Sequence, residues 1–160
     1  MKHALSGKRI LVVGAGRGIG QALALSIAKE GGKLSVAARS ENQIRETCDL
    51  INRTGPGSAI PVVCDVSSTQ SVLLAVEKTV SSFGGLDALI FAAGVYGPIG
   101  PIETNSIDEW ANCININLVG AARTIQAVVP VFKKQKSGKI VLFSGGGQGA
   151  VPNFSAYVTS

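Results

Sequence analysis

Short apolar runs alternate with amphipathic stretches along this chain, and the alternation predicts strands separated by helices. The predicted strands cover residues 8–13, 34–38, 59–64, 86–92 and 139–143. Between them the sequence predicts a helix over 19–28, a second after Ser40, a third after Ser67 and a long helical region from Ser106 to about residue 134. A Glu or Gln stands three positions after each of these serines, which is the pattern of a capping box.

The apolar positions of the predicted helices recur at intervals that place them on one face. In the second helix these positions are Ile44, Thr47, Cys48 and Ile51, and in the third they are Val72, Val76, Thr79, Val80 and Phe83. Strands that alternate with helices favour an α/β fold, with a doubly wound parallel sheet and helices on both faces. We expect a single domain over residues 1–160, with ligands bound at the carboxyl ends of the strands.

A glycine-rich turn joins the first predicted strand to the first helix. Gly14, Gly18 and Gly20 form the pattern G-x-x-x-G-x-G with Gly16 as an extra glycine, which differs from the G-x-G-x-x-G fingerprint of dinucleotide sites. Glycines let phosphates approach the main chain, and the first N–H groups of a helix bind anions. The turn therefore indicates a dinucleotide site, and the alternative is a structural turn without a ligand.

The end of the second predicted strand bears on the choice of dinucleotide. An acidic residue there usually binds the ribose of NAD, but this chain has Arg39 and no carboxylate. Arg39 and Arg17 favour the 2′-phosphate of NADP(H), with NAD(H) as the other option, unless both are solvated surface residues. Asp65 follows the third strand and either accepts a hydrogen bond from adenine or caps the next helix.

Composition and charge exclude several classes of function. The formal net charge is +5, but the basic residues are dispersed apart from a group near residues 133–139, so we expect no nucleic-acid partner. Cys48, Cys64 and Cys113 lack the spacing of metal ligands, so we expect buried thiols and no metal. We also expect no membrane segment and a cytoplasmic location.

Further motifs, in order and spacing, resemble the short-chain dehydrogenase/reductase family over residues 8–160. Besides the glycine turn they include Asp65-Val66, Leu86-Asp87-Ala88-Leu89, Ala92-Ala93-Gly94, Asn117-Leu118-Val119-Gly120, Ser144 and Tyr157. The resemblance implies hydride transfer between a nicotinamide and a small carbonyl or alcohol substrate. Tyr157 would exchange the proton, Ser144 would polarise the substrate oxygen and Asn117 would hold a water in a proton relay.

The same resemblance, together with the two arginines, defines the expected cofactor contacts. They are Gly14, Arg17, Gly18, Ile19, Gly20, Arg39, Asp65, Val66, Ala93 and Gly94. We expect the substrate pocket to involve residues 95–101 and 145–153. The family also suggests a homo-oligomer, a dimer or tetramer joined through the long helix.

Three positions depart from the family pattern. Val13 stands where Thr is usual, and Ala92 stands where Asn is usual. The sequence stops at Ser160, one position before the lysine of the family's Tyr-x-x-x-Lys motif, and lacks the family's last strands and helices. We therefore expect a part of a longer enzyme, with a truncated inactive fragment or a non-catalytic nucleotide-binding module as alternatives. A methyltransferase is a third alternative.

Overall fold

The computed structural model describes residues 3–145 and 151–160, which contain one five-stranded parallel sheet. Its strands are β1 (Arg9–Val13), β2 (Lys33–Ala38), β3 (Ser58–Val63), β4 (Ala88–Phe91) and β5 (Lys139–Leu142). The order across the sheet is β3-β2-β1-β4-β5, with every neighbouring pair parallel. The strand order therefore reverses between β1 and β4, which is the point where such sheets bind ligands.

Helices cover the two faces of the sheet. They are α1 (Gly18–Lys29), α2 (Glu41–Thr54), α3 (Thr69–Phe83), α4 (Ile107–Ile114), α5 (Gly120–Gln135) and α6 (Ser155–Thr159). Alternate residues of β1 face opposite sides, as strand geometry requires. Ile10 and Val12 pack in a core with α1 and α2, whereas Leu11 and Val13 pack with α3 and α5. The predicted doubly wound α/β fold is confirmed.

The predicted helix faces are confirmed more closely than the predicted caps. Ile44, Thr47, Cys48 and Ile51 are all buried. Ser106 caps α4 by accepting a hydrogen bond from the Glu109 N–H at 3.3 Å, but Ser40 makes no such bond at α2. At α3 the prediction of Ser67 is wrong, because Ser68 is the cap and accepts from the Ser71 N–H.

The long helical region predicted from Ser106 is present but changes its winding partway. A π-type segment, Asn115–Val119, joins α4 to α5. The combined run Ile107–Gln135 is long and apolar enough to cross a membrane by length and composition. Within this run Gly120, Thr124 and Val128 of α5 are buried, and Val128 belongs to the core that α3 forms with the sheet.

The strand β5 lies at the edge of the sheet and pairs only with β4 among the described residues. Every residue of β5 is exposed, including Ile140, Val141 and Leu142. An apolar edge strand of this kind normally pairs with or packs against further structure. All three cysteines are buried and free, as predicted.

Candidate functional site

The turn between β1 and α1 lies against the ends of β2 and β4. The N–H groups of Gly14 and Ala15 both donate to the Ala37 carbonyl, at 2.7 and 3.0 Å. Gly14 has φ +85°, and a Cβ at this position would lie 2.5 Å from the Ala93 nitrogen, so only glycine fits. Gly18 also has a positive φ, +59°, but no atom lies within 4 Å of the position of its Cβ. The turn is therefore open on the Gly18 side.

The first turn of α1 presents backbone N–H groups on this open side. Its N-cap, Arg17, makes no side-chain cap hydrogen bond, and the first turn contains no acidic residue. Ile19 is 65% exposed, whereas Gly20 is buried against the Gly14 carbonyl. Such N–H groups bind anions, so the turn fits the phosphates of a dinucleotide.

Two arginines and a carboxylate mark another part of the same sheet edge. Arg17 and Arg39 are both exposed. The Asp65 carboxylate accepts hydrogen bonds from the Ser67 hydroxyl at 2.7 Å and the Ser67 N–H at 2.9 Å. These bonds hold the pKa of Asp65 below its usual range against the effect of partial burial, and the charges of Arg39 and Arg123 lower it further. Asp65 thus orders the turn before α3 as a carboxylate and is not the cap of that helix.

Val66, the next residue, is the point where α5 contacts this turn. A Cβ on Gly120 would lie 2.9 Å from Val66 Cγ2, so the helix packs closely on the valine. The Arg123 guanidinium donates to the Val66 carbonyl, to Thr69 Oγ1 at 3.1 Å and to Asn115 Oδ1 at 3.3 Å. Sequence analysis missed Arg123, because no local pattern distinguishes it from a solvated helix residue.

The Asn117 side chain, in the π-type segment, holds the loop that follows β4. Its Oδ1 accepts from the Val95 N–H at 2.9 Å, and its Nδ2 donates to the Val95 carbonyl at 2.8 Å and to Ser160 Oγ at 2.8 Å. A Cβ on Gly94 would lie 3.5 Å from the same Oδ1. The structure therefore brings Asn117 and Gly94 together. Because both N–H groups of the amide are engaged, a water bound by this side chain would use Oδ1.

Tyr157 lies in α6, with its hydroxyl against the loop that follows β5. A Cβ on Gly145 would overlap the Tyr157 hydroxyl oxygen. Ser144, the preceding residue, is exposed, and its hydroxyl makes no hydrogen bond to another residue within 3–145 or 151–160. The structure thus places the Ser144 loop beside the tyrosine without joining the two hydroxyls. Residues 146–150 of the expected substrate pocket lie outside the described residues.

Tyr96, which lies within the expected pocket range 95–101, and Phe154, one position beyond the range 145–153, were not singled out by sequence analysis. The Tyr96 ring contacts both Phe154 and Tyr157 edge to face. The sequence offered one signal for Tyr96, because it contains only two tyrosines and the other is Tyr157.

Comparisons with known proteins agree with this geometry. A family model described as short chain dehydrogenase matches residues 8–160. An oxidoreductase of Listeria monocytogenes is 35% identical over 154 residues, which cover 96% of this chain and 61% of that protein. The chain therefore spans less than two thirds of this relative's length.

Two crystal structures share the fold and differ in the dinucleotide they contain. NAD⁺-bound xylitol dehydrogenase has a TM-score of 0.93 and 32% identity, covering 98% of this chain and 60% of that one. An alcohol dehydrogenase of the archaeon Thermococcus sibiricus, complexed with 5-hydroxy-NADP, has a TM-score of 0.86 and 29% identity, covering 95% and 64%. With the sheet order, the glycine turn and the contacts of Asn117 and Tyr157, these matches establish that the chain belongs to the short-chain dehydrogenase family of oxidoreductases.

Proposed function

We propose that this chain is the NAD(P)-binding domain, residues 1–160, of a longer NADP(H)-preferring carbonyl reductase or alcohol dehydrogenase. The observation that carries the proposal is the meeting of three groups at one sheet edge. They are the open glycine turn, the Asn117 contact with the loop after β4, and the Tyr157 hydroxyl beside the loop of Ser144.

In the proposed reaction, the glycine turn and the first N–H groups of α1 would hold the dinucleotide, which would supply the hydride for the carbonyl carbon. Tyr157 donates its hydroxyl proton to the carbonyl oxygen as the π bond of the C=O group is lost, and the reverse step takes that proton back. Ser144 hydrogen-bonds the same oxygen and polarises it. Asn117 holds the Val95 loop beside the site and binds a water through Oδ1.

The choice of NADP(H) over NAD(H) rests on Arg17 and Arg39. Both are exposed at the edge where the glycine turn opens, and neither of the two residues between β2 and α2, Arg39 and Ser40, is a carboxylate that would repel a 2′-phosphate. A guanidinium can pair with a phosphate in a bidentate manner. A charged hydrogen bond contributes about 1.5–3 kcal/mol, which corresponds to roughly 10- to 100-fold in affinity.

Titration of the purified chain with NADPH and NADH tests both the site and the preference. Arg39→Gln is expected to weaken NADPH binding at least tenfold and to leave NADH binding nearly unchanged. Arg53→Gln is the matched control, because Arg53 is an exposed arginine at the far end of α2. Equal affinities for the two dinucleotides in the native protein, or a preference for NADH, would refute the coenzyme assignment.

Catalysis is tested on the chain together with any residues that follow Ser160 in its gene. Turnover of carbonyl compounds with NADPH, abolished by Tyr157→Phe, is the expected result. Binding of NADPH without turnover of any carbonyl would instead identify a non-catalytic nucleotide-binding module.

We further propose a cytoplasmic homo-oligomer. Leu118 and Val119 are exposed apolar residues of the long helical run and suit a helix-to-helix contact between subunits. Light scattering of the purified protein checks the oligomeric state.

A further inference from the structure

The two segments that surround Tyr157 contain no charged side chain. The described residues of these segments, 92–102 in one and 140–145 with 151–160 in the other, include no Asp, Glu, Lys, Arg or His. The described parts of these segments are joined, because the Gly100 N–H donates to the Asn153 carbonyl at 2.9 Å. A substrate bound beside Tyr157 therefore meets neutral side chains from both segments.

Tyr96 forms an aromatic wall with Phe154 next to Tyr157. The Tyr96 ring centroid lies 5.1 Å from that of Tyr157 and 5.9 Å from that of Phe154, with interplanar angles of 66° and 84°. Such edge-to-face contacts are favourable for aromatic rings. Tyr96 nevertheless remains 60% exposed, so much of its surface is free for another group.

The backbone beside Tyr96 is held firmly in place. Gly97 has φ +69°, and a Cβ there would lie 2.8 Å from Cys113 Cβ and 3.0 Å from Ala156 Cβ. The loop therefore rests on α4 and α6 at a distance that only glycine permits. This close approach fixes the Tyr96 ring against α6, which carries Tyr157.

We propose that Tyr96 and Phe154 determine specificity, and that the substrate is an uncharged carbonyl compound with an aromatic ring next to its carbonyl group. This inference rests on the proposed function and names its substrate class. A substrate carboxylate or phosphate would lose hydration beside these segments without gaining a cation, which is strongly unfavourable. An aromatic ring would instead cover the exposed face of Tyr96 and gain both burial and edge-to-face contact. Ile99 is a further exposed apolar residue of the same loop.

Four carbonyl compounds distinguish the effect of a negative charge on the substrate from the effect of an aromatic ring. Ethyl benzoylformate has a ring and no charge, benzoylformate has both, ethyl pyruvate has neither, and pyruvate has only the charge. We would measure kcat/KM for each with NADPH, using the chain together with any residues that follow Ser160 in its gene. We expect kcat/KM for ethyl benzoylformate to be at least tenfold higher than for each of the other three compounds. A difference of this size lies within the discrimination between substrates that apolar contacts provide.

Variants at position 96 test the residue itself through a ratio of two substrates. The ratio is kcat/KM for ethyl benzoylformate divided by kcat/KM for ethyl pyruvate. Tyr96→Ala is expected to lower this ratio about tenfold, and Tyr96→Phe is expected to retain it. The ratio cancels any loss of activity common to both esters, so a general disturbance of Tyr157 does not imitate the result. Leu73→Ala, an exposed apolar residue of α3, is the control and should leave the ratio unchanged.

Preference for benzoylformate over its ester, or a ratio unaffected by Tyr96→Ala, would overturn the inference while leaving the proposed function intact. Turnover of none of the four compounds would count against the proposed function instead. Ligand-observed NMR of the same compounds would then decide the inference. Binding of ethyl benzoylformate that is lost in Tyr96→Ala supports the inference. Equal binding of ethyl benzoylformate and ethyl pyruvate refutes it.

Discussion

The ion pair between Arg9 and Asp87 provides a quantitative test of the structure. Arg9 begins β1, and Asp87 precedes β4, so the pair joins the central strands at their amino ends. The Arg9 Nε and Nη2 atoms donate to the two carboxylate oxygens at 2.9 and 2.8 Å, and the Arg9 N–H donates to Oδ2 at 2.8 Å. The side chains are 25% and 27% exposed. Substitution Asp87→Asn removes the charge and keeps the shape.

The expected loss follows from the pKa of Asp87. Hydrogen bonds from the Arg9 side chain lower this pKa from 3.8 to about 2, against the opposing effect of burial. A difference of this size corresponds to roughly 2.5 kcal/mol of stability at neutral pH. Solvent screening at a partly exposed pair reduces the figure, so we expect Asp87→Asn to cost about 1–2 kcal/mol at pH 7.

The pH dependence of the loss has a definite sign. Because the pKa is lower in the folded state, the ionised Asp87 stabilises the fold above about pH 4, and this contribution is lost as the pH falls towards 2. Urea unfolding followed by circular dichroism at pH 7 and at pH 3 measures it. The native chain and Asp87→Asn should differ at pH 7 and converge at low pH.

A control and a refuting result complete this test. Glu41→Gln removes an exposed pair with Arg45 on α2, where the side chains are 61% and 55% exposed, and should cost less than about 0.5 kcal/mol. A loss in Asp87→Asn no larger than in this control, or one of equal size at pH 7 and pH 3, would refute the reasoning. NADPH affinity should not change, because the pair lies at the end of the sheet opposite the site.

Three other perturbations follow from the contacts of the site and core. Gly14→Ala should cost several kcal/mol in urea unfolding, whereas Gly18→Ala should cost about 1 kcal/mol, because only the first would force a Cβ against backbone. Asn117→Ala should destabilise the fold by about 1–3 kcal/mol, because it leaves the Val95 N–H unpaired and the Val95 carbonyl with only the weak Cys113 thiol donor. Asn117→Asp should be intermediate, since it keeps the acceptor for the Val95 N–H. Burial and the charge of the neighbouring carboxylate raise the pKa of Cys64 to about 11, so its labelling by a thiol reagent at pH 8, followed by mass spectrometry, should be slow until urea unfolds the chain.

The sequence by itself determined the elements and the turn that begins the site. The apolar intervals that predicted α2 are local, and Ile44, Thr47, Cys48 and Ile51 are all buried because one helical face must cover the sheet. The glycine turn was equally readable, since the positive φ of Gly14 is a local need that only glycine meets without strain. The order and spacing of the further motifs carried the resemblance to the family.

Only the tertiary structure decided how the polar groups are used. Asp65 does not cap α3, because its carboxylate accepts hydrogen bonds from the Ser67 hydroxyl and N–H while Ser68 is the cap. Periodicity cannot show that Tyr96 packs on Phe154 and Tyr157, because Tyr96 lies far from both in the chain and meets them only where the loop after β4 contacts the start of α6. Contacts of that kind depend on strand order and packing, which local pattern does not encode.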